Sequence, residues 1–525
     1  MSHSNNSSLS MAQERSEAAG GVAARWTMSE VALFAGVAVA LFVGLHLFYS
    51  SFYSVHQDLA GSALSGRLAL MLGDQFAEYS LYFPPVERIW FSFAASLSEL
   101  TGLRLDLVTI AMTGLAVLLS VGLAFHIRKV SVGASPLFLV GSLVLLTVIP
   151  VLYKNVFGLR EHLVVLGLWP YIVLRVSDPQ NTKIGWQIRT LVGLWLGATL
   201  LFKYLYCLAV LLVELADAAC LRNPLRLFRI ENVISGAFVA LYLLLWIGLD
   251  PLQREVMAAI VTAIDANLSS TATNIGHAAI HIAPAILFVL LGIANKVPPR
   301  VTAIGLGLVV AAIIASWIQA RWYSHHLFPI TMAYLAWIWM IHREAKLLWL
   351  VGLTILVCRP LVFEFANTRG YQASVSELDL AMDASGLSLE GRRVGLLTMH
   401  PSPFNQHLAA HGAARWNNSM NNSYVASELK PLDTPENQGI TPAAVKLDDP
   451  GVQMLHNELL RLWEDQPPEY LILDESSRWP LRYIRIRWTQ AFAEDDRFNA
   501  VLDGYEKVYL HDGERTKFTV YQRID

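Results

Sequence analysis

The side chains with the most capacity for chemistry fall in a few short stretches at the ends of apolar runs. Asp58, in His56-Gln57-Asp58, comes a few residues after the apolar run 29–50 ends. A carboxylate there can act as a general base, taking a proton from an acceptor hydroxyl held at hydrogen-bond distance. An Asp heading the amphipathic run Leu59 to Leu72 also suits a helix N-cap. A second stretch holds Tyr153-Lys154-Asn155 and Gly158-Leu159-Arg160-Glu161-His162. Three ionisable residues in a row at the mouth of a short apolar run are costly to bury and so mark a site, or else an interfacial loop anchoring two helices. A third, Gln319 to His326, combines Arg321, Trp322, Tyr323, His325 and His326. A cation with aromatics and imidazoles suits a phosphate beside a lipid chain, and equally an aromatic interface belt. Lys203-Tyr204 form a fourth, smaller group, and Glu87-Arg88 follow the Pro84-Pro85 pair. His325-His326 is a weak metal signal, because neighbours on a helix do not share a face. No cofactor is expected, and a divalent cation has no clear ligand pattern. P-loop, GxSxG and HExxH patterns are missing where they would count.

These residues need a membrane body to position them. The chain has 525 residues, is 54% hydrophobic and 15% charged, and has mean hydropathy +0.43, too apolar for a soluble enzyme. Its net charge of −3 gives no basis for a nucleic-acid partner. Cys207, Cys220 and Cys358 are widely spaced in or beside apolar runs and suggest neither disulfide nor metal site. Apolar windows predict spans at 29–50, 107–127, 134–152, 163–175, 190–203, 205–218, 232–249, 279–294, 302–319, 326–341 and 346–363. The expected fold is a polytopic α-helical membrane protein of about eleven transmembrane helices with a C-terminal soluble α/β domain. Residues 1–28 read as a disordered cytoplasmic tail, 29–363 as the membrane body with a long outer loop at 51–106, and 364–525 as the soluble domain.

Orientation follows the distribution of Lys and Arg. With the N-terminus inside, the inner segments carry 14 cations and the outer loops 8, although the outer loops are longer. One ambiguity decides the parity. A single span over 190–213 would bury Lys203 at its centre, at about 2.5–3.5 kcal/mol, and would invert every later loop. Two short segments turning at Lys203-Tyr204 keep the bias and place 364–525 outside. In that tail Val394–Leu397 and Tyr470–Leu473 read as strands, Val452 to Trp463 as a helix, Phe518 to Tyr521 as a last strand, and Asn-rich Trp416 to Tyr424 as a loop.

This arrangement resembles the GT-C superfamily of membrane glycosyltransferases, which includes protein O-mannosyltransferases, lipid A aminoarabinose transferases and arabinofuranosyltransferases. The loop "YFPPVERIWFSFAASLSELTGL" is similar to the Pro-Pro loop helices of such enzymes. "GLREHLVVLGLWPYIVLR" and "ARWYSHHLFPITMAY" resemble outer-face segments of bacterial members. The resemblance implies an integral protein of the bacterial inner membrane, with a cytoplasmic N-terminus and a periplasmic C-terminal domain. It would move a sugar from a polyprenyl-phosphate donor to a cell-envelope glycan, lipid or protein acceptor. Asp58 matches the acidic residue after the first span, the base of an inverting displacement. Arg160, Glu161, His162, Arg321, Tyr323 and His326 match the groups near the donor phosphate, with Arg88, Lys203, Tyr204 and His325 in the same zone. Asp58 stands between Gln57 and Leu59, so the double-acidic pattern common in the superfamily is absent, and a second carboxylate would be Glu87 or Glu161.

Two readings of other classes compete. A transporter or flippase for a lipid-linked or amphipathic anion predicts related sequence halves and midplane charge; here no repeat is visible and most charge lies at the outer face. A structural subunit recruiting a partner through the soluble domain predicts no dependence on Asp58.

Overall fold

The apolar runs form helices that are stitched together at both ends by buried polar contacts. The computed structural model describes residues 27–51, 54–73, 75, 84–153, 155–248, 271–319, 322–342, 354, 372–399, 403–417, 439–440, 450–476 and 484–524. The helices of the body are α1 (Met28–Ser51), α2 (Gln57–Leu72), α3 (Pro85–Thr101), α4 (Leu105–Val132), α5 (Pro136–Leu152) and α6 (Arg160–Ser177). They continue as α7 (Trp186–Leu200), α8 (Cys207–Cys220), α9 (Ile230–Leu243), α10 (Thr271–Ala294), α11 (Pro299–Ile318) and α12 (Ser324–Ile341).

Among the described residues four helices, α1, α4, α10 and α11, are long and apolar enough to cross a membrane. This supports a helical, membrane-associated protein, and it corrects the expected count of about eleven spans. The physical reason is interruption. α5 is broken by a π-helical turn at Val144–Val148 and by Pro150. α7 and α8 have 15 and 14 residues, about 22 and 21 Å at 1.5 Å per residue, short of the roughly 30 Å hydrocarbon core. The expected span 346–363 lies outside the described residues, apart from Thr354.

The break at Lys203 does form. α7 ends at Leu200, a 3₁₀ turn covers Tyr204–Tyr206, and α8 starts at Cys207. The far ends of this pair are joined by a buried ion lattice that the sequence alone did not reveal. Arg175, fully buried near the end of α6, pairs with Glu214 of α8 and, at 2.5 Å, with Glu231 of α9. Arg189 at the start of α7 reaches Asp178 at 2.6 Å and Glu231 at 3.2 Å. Asp217 of α8 collects Arg300 at 2.5 Å, Arg229 at 3.0 Å and Arg226 at 3.1 Å. The start of α7 and the end of α8 therefore share one level, so the chain reverses at Lys203.

The C-terminal part is a small α/β unit. Helix α13 (372–385) leads to β1 (Arg393–Leu397), α14 (Phe404–Ala410), β2 (Ala414–Arg415), β3 (Gly439–Ile440), α15 (Pro450–Asp465) and β4 (Tyr470–Asp474). β5 (Ile484–Arg485), α16 (Asp496–Leu502), β6 (Tyr505–Asp512) and β7 (Lys517–Arg523) complete it. The main sheet has order β2-β1-β4-β7-β6, with β1 parallel to β2 and β4, and β7 antiparallel to β4 and β6. The strands expected at Val394, Tyr470 and Phe518 all belong to it. Of the expected loop at Trp416 to Tyr424, only Trp416 and Asn417 are described, and both bond to β1: Trp416 N–H to Val394 O, and Asn417 through both side-chain ends to Leu396.

This unit rests on the first loop of the body. Arg67 of α2 donates to Gly412 O at 2.7 Å, Asn405 of α14 donates to Gln57 O at 3.2 Å, and Ser54 donates to Gln372 Oε1 at 3.2 Å. α2 packs closely on α3, where a Cβ on Gly66 would lie 2.3 Å from the backbone of Phe91. The helix that carries Asp58 is held on both sides.

Candidate functional site

α2 begins at Gln57, and its N-cap is His56, whose Nδ1 accepts from the Asp58 N–H at 3.1 Å. Asp58 is thus inside the first turn rather than at the cap. Its carboxylate is half-exposed, 3.6 Å from His56 Nδ1. It lines a small cleft, partly open to solvent, together with Ser62, Phe91, Gly158, Arg160, Glu161 and His325.

The opposite wall is the loop before α6. Tyr49 of α1 donates to Asn155 Oδ1, and Asn155 Nδ2 donates to Ser54 O at 2.8 Å, which ties this loop to the entry of α2. Asn155 and Gly158 both have positive φ, 56° and 87°. Gly158 has two reasons to be glycine, because a Cβ there would also lie 3.0 Å from Leu59 Cδ2 and from Thr113 Oγ1. His162 is fully buried with both ring nitrogens engaged: Nδ1 accepts from Gly158 N–H at 3.0 Å, and Nε2 donates to Leu146 O at 2.8 Å. It supports the loop from below and does not line the cleft.

Glu161 is the hub. Lys203 donates to its Oε1, and His326 Nε2 lies 3.7 Å from the same oxygen. Beside it Arg160 Nη1 meets Glu87 Oε1 at 3.3 Å. Burial pushes the Glu87 carboxyl up, with the charge of Glu161 adding to the effect and Arg160 opposing it. Tyr206, from the turn after Lys203, is 1% exposed; its hydroxyl has no hydrogen-bond partner among the described residues and lies within electrostatic reach of Glu161. Tyr204 is half-buried in the same turn.

α12 brings the imidazoles. Tyr323 is its N-cap and its ring stands 5.7 Å from His325 and 5.5 Å from His326. His325 also meets His56, ring centroids 5.9 Å apart. The ligand atoms of His56, Asp58 and His325 lie within 4.8 Å of one another, as do those of Glu161, His325 and His326. Each of these two triads, which share His325, has the types and spacing to hold a divalent cation. The two adjacent histidines converge because both sit in the first turn of α12, their rings 4.3 Å apart and nearly perpendicular.

Thus Asp58, Glu161, Lys203, His325 and His326 come together, with Glu87 and Arg160 adjoining. Arg88 is exposed one residue beyond Glu87. Arg321 and Lys154 lie outside the described residues. His56 and Tyr206 were missed: His56 stood in the quoted tripeptide without a role, and Tyr206 had no local signal beyond being three residues past Lys203. Comparison with known protein families and with curated proteins finds no match.

Proposed function

We propose that the chain is a membrane glycosyltransferase of GT-C type. It passes a sugar from a polyprenyl-phosphate donor to an acceptor hydroxyl outside the membrane, with inversion and with Asp58 as base. The observation that carries this reading is the convergence of Asp58 with Arg160, Glu161 and His325 in one cleft, with Lys203 and His326 holding Glu161. A half-exposed carboxylate and the Arg160 guanidinium share the cleft, where an acceptor hydroxyl and a donor phosphate would meet.

In this reading the acceptor oxygen attacks the anomeric carbon, its proton passes to Asp58, and the bond from that carbon to the phosphate oxygen breaks. The negative charge left on the polyprenyl phosphate needs preset cations. Arg160 suits this role, because it lines the cleft and its side chain is partly exposed there. Lys203 is more strongly committed to Glu161. In this reading, which the cation bias supports for orientation, the cleft and the sheet unit lie on the extracytoplasmic side of a bacterial inner membrane, the unit beside the acceptor's approach to α2.

The test uses the solubilised full chain, a polyprenyl-phosphate-linked sugar and envelope extracts as acceptors. Labelled sugar should move to acceptor and leave the polyprenyl phosphate behind. If instead the intact donor crosses a reconstituted bilayer without transfer, the chain is a flippase.

A further inference from the structure

A second cluster of ligand-type side chains lies in the C-terminal unit, away from the cleft. Helices α13 and α14 each present two such residues at i,i+4 spacing, Asp379 and Asp383 on the first, His407 and His411 at the end of the second. That spacing places both members of a pair on one helix face. The two faces meet. His407 Nδ1 lies 2.6 Å and His411 Nε2 3.9 Å from Asp379 Oδ1, the two rings are 4.2 Å apart, and the three ligand atoms all fall within 4.8 Å of one another. Asp383 is close enough for its charge to act on the His411 imidazole.

We infer that Asp379, His407 and His411 form a binding site for a divalent transition-metal ion of the zinc class, with Asp383 or water completing the shell. Two imidazoles and a carboxylate are a ligand set that zinc accepts at about 2.0–2.2 Å, which needs donor separations of roughly 3.3 Å. The observed 2.6 and 3.9 Å bracket that value and the two imidazole nitrogens lie within 4.8 Å of each other, so modest side-chain adjustments bring the three atoms into place. His407 is 5% exposed, which fixes its ring, while Asp379 and His411 are about half exposed and leave an entry path from solvent. Arg104 acts on the His411 imidazole as an opposing charge, and it is itself paired with Asp106 at 2.7 Å. The ion would clasp α13 to α14. Because Asn405 of α14 holds the Gln57 carbonyl, next to Asp58, the clasp would also steady the entry of α2.

The experiment uses the full chain in detergent, stripped with chelator and then titrated with Co²⁺. Expected are visible ligand-field absorption that saturates at one ion per chain once the cleft's shared imidazole is removed by His325→Ala, its displacement by Zn²⁺, and a rise in melting temperature with Zn²⁺. His411→Ala and Asp379→Asn, both at half-exposed positions, should weaken Co²⁺ binding by roughly 10–100-fold or more and abolish the Zn²⁺ stabilisation. The titrations are repeated in a His325→Ala background, which removes the imidazole shared by the cleft's two triads; the absorption that His411→Ala and Asp379→Asn abolish should persist there, which separates the site from the cleft. Absence of Co²⁺ binding in the wild type, binding that survives both variants in the His325→Ala background, or binding lost with His325→Ala alone would overturn the inference.

Discussion

Lys203 and Glu161 close on each other at one end of a helix pair that is locked at its other end by Arg175 and Glu214. The Lys203 and Glu161 side chains are 12% and 3% exposed. Removing one partner of such a pair leaves the other buried and uncompensated, typically at about 3–5 kcal/mol. Lys203→Met should therefore lower the unfolding midpoint of the solubilised protein strongly. The double variant Lys203→Met/Glu161→Gln should recover most of the loss. A double variant no better than the single one would contradict a pairwise role.

The loop before α6 gives a backbone prediction. Gly158→Ala adds strain at φ +87° and a contact at 3.0 Å, and should destabilise by about 1–3 kcal/mol. Gly141→Ala is the control, because a Cβ there meets nothing within 4 Å, and thermal unfolding should show it neutral or slightly stabilised. Equal effects of the two would contradict the account of this loop.

These two predictions mark where sequence reading ends. The apolar windows found the helices and the polar clusters found Asp58, Glu161, Lys203 and His325–His326, because ionisable side chains stand out against apolar runs. The strands at Val394, Tyr470 and Phe518 were legible from their short apolar blocks. The pairing of Lys203 with Glu161 was not, since a buried charge announces itself in sequence but its partner 42 positions away does not. Nor was the interruption of α5, since windowed hydropathy averages over Pro150 and a π-turn. The Arg175 lattice was read only as scattered inner cations.

Donor binding tests the cationic wall. Arg160→Ala should weaken binding of a polyprenyl-phosphate sugar by about 1.5–3 kcal/mol, the usual worth of a charge-assisted hydrogen bond. Arg160→Lys should rescue it only in part, because an ammonium does not reproduce the planar fork. Unchanged affinity in Arg160→Ala, measured by equilibrium binding in detergent, would move the phosphate elsewhere.

Acid stability tests the sheet unit. Burial pushes the Glu377 carboxyl up, but hydrogen bonds from Thr516 and Arg515 at the β6–β7 turn outweigh it and hold the group below its ordinary value of 4.5. A folded pKa below the unfolded one means the contribution is complete above about pH 4.5 and is lost as pH falls through the folded value. Glu377→Gln should thus be less stable than wild type near neutrality, with the gap closing below that pH. Tryptophan fluorescence through a pH series of denaturant titrations reads it; a gap independent of pH would contradict the argument.

The most direct measurement is sugar transfer by Asp58→Asn. His56 caps α2, so Asn at position 58 removes the base and keeps the volume. With normal protein level and normal donor binding, transfer from a polyprenyl-phosphate sugar should fall by roughly 10²–10⁴-fold. Transfer near the wild-type rate in a well-folded variant would contradict the assignment of Asp58 as base.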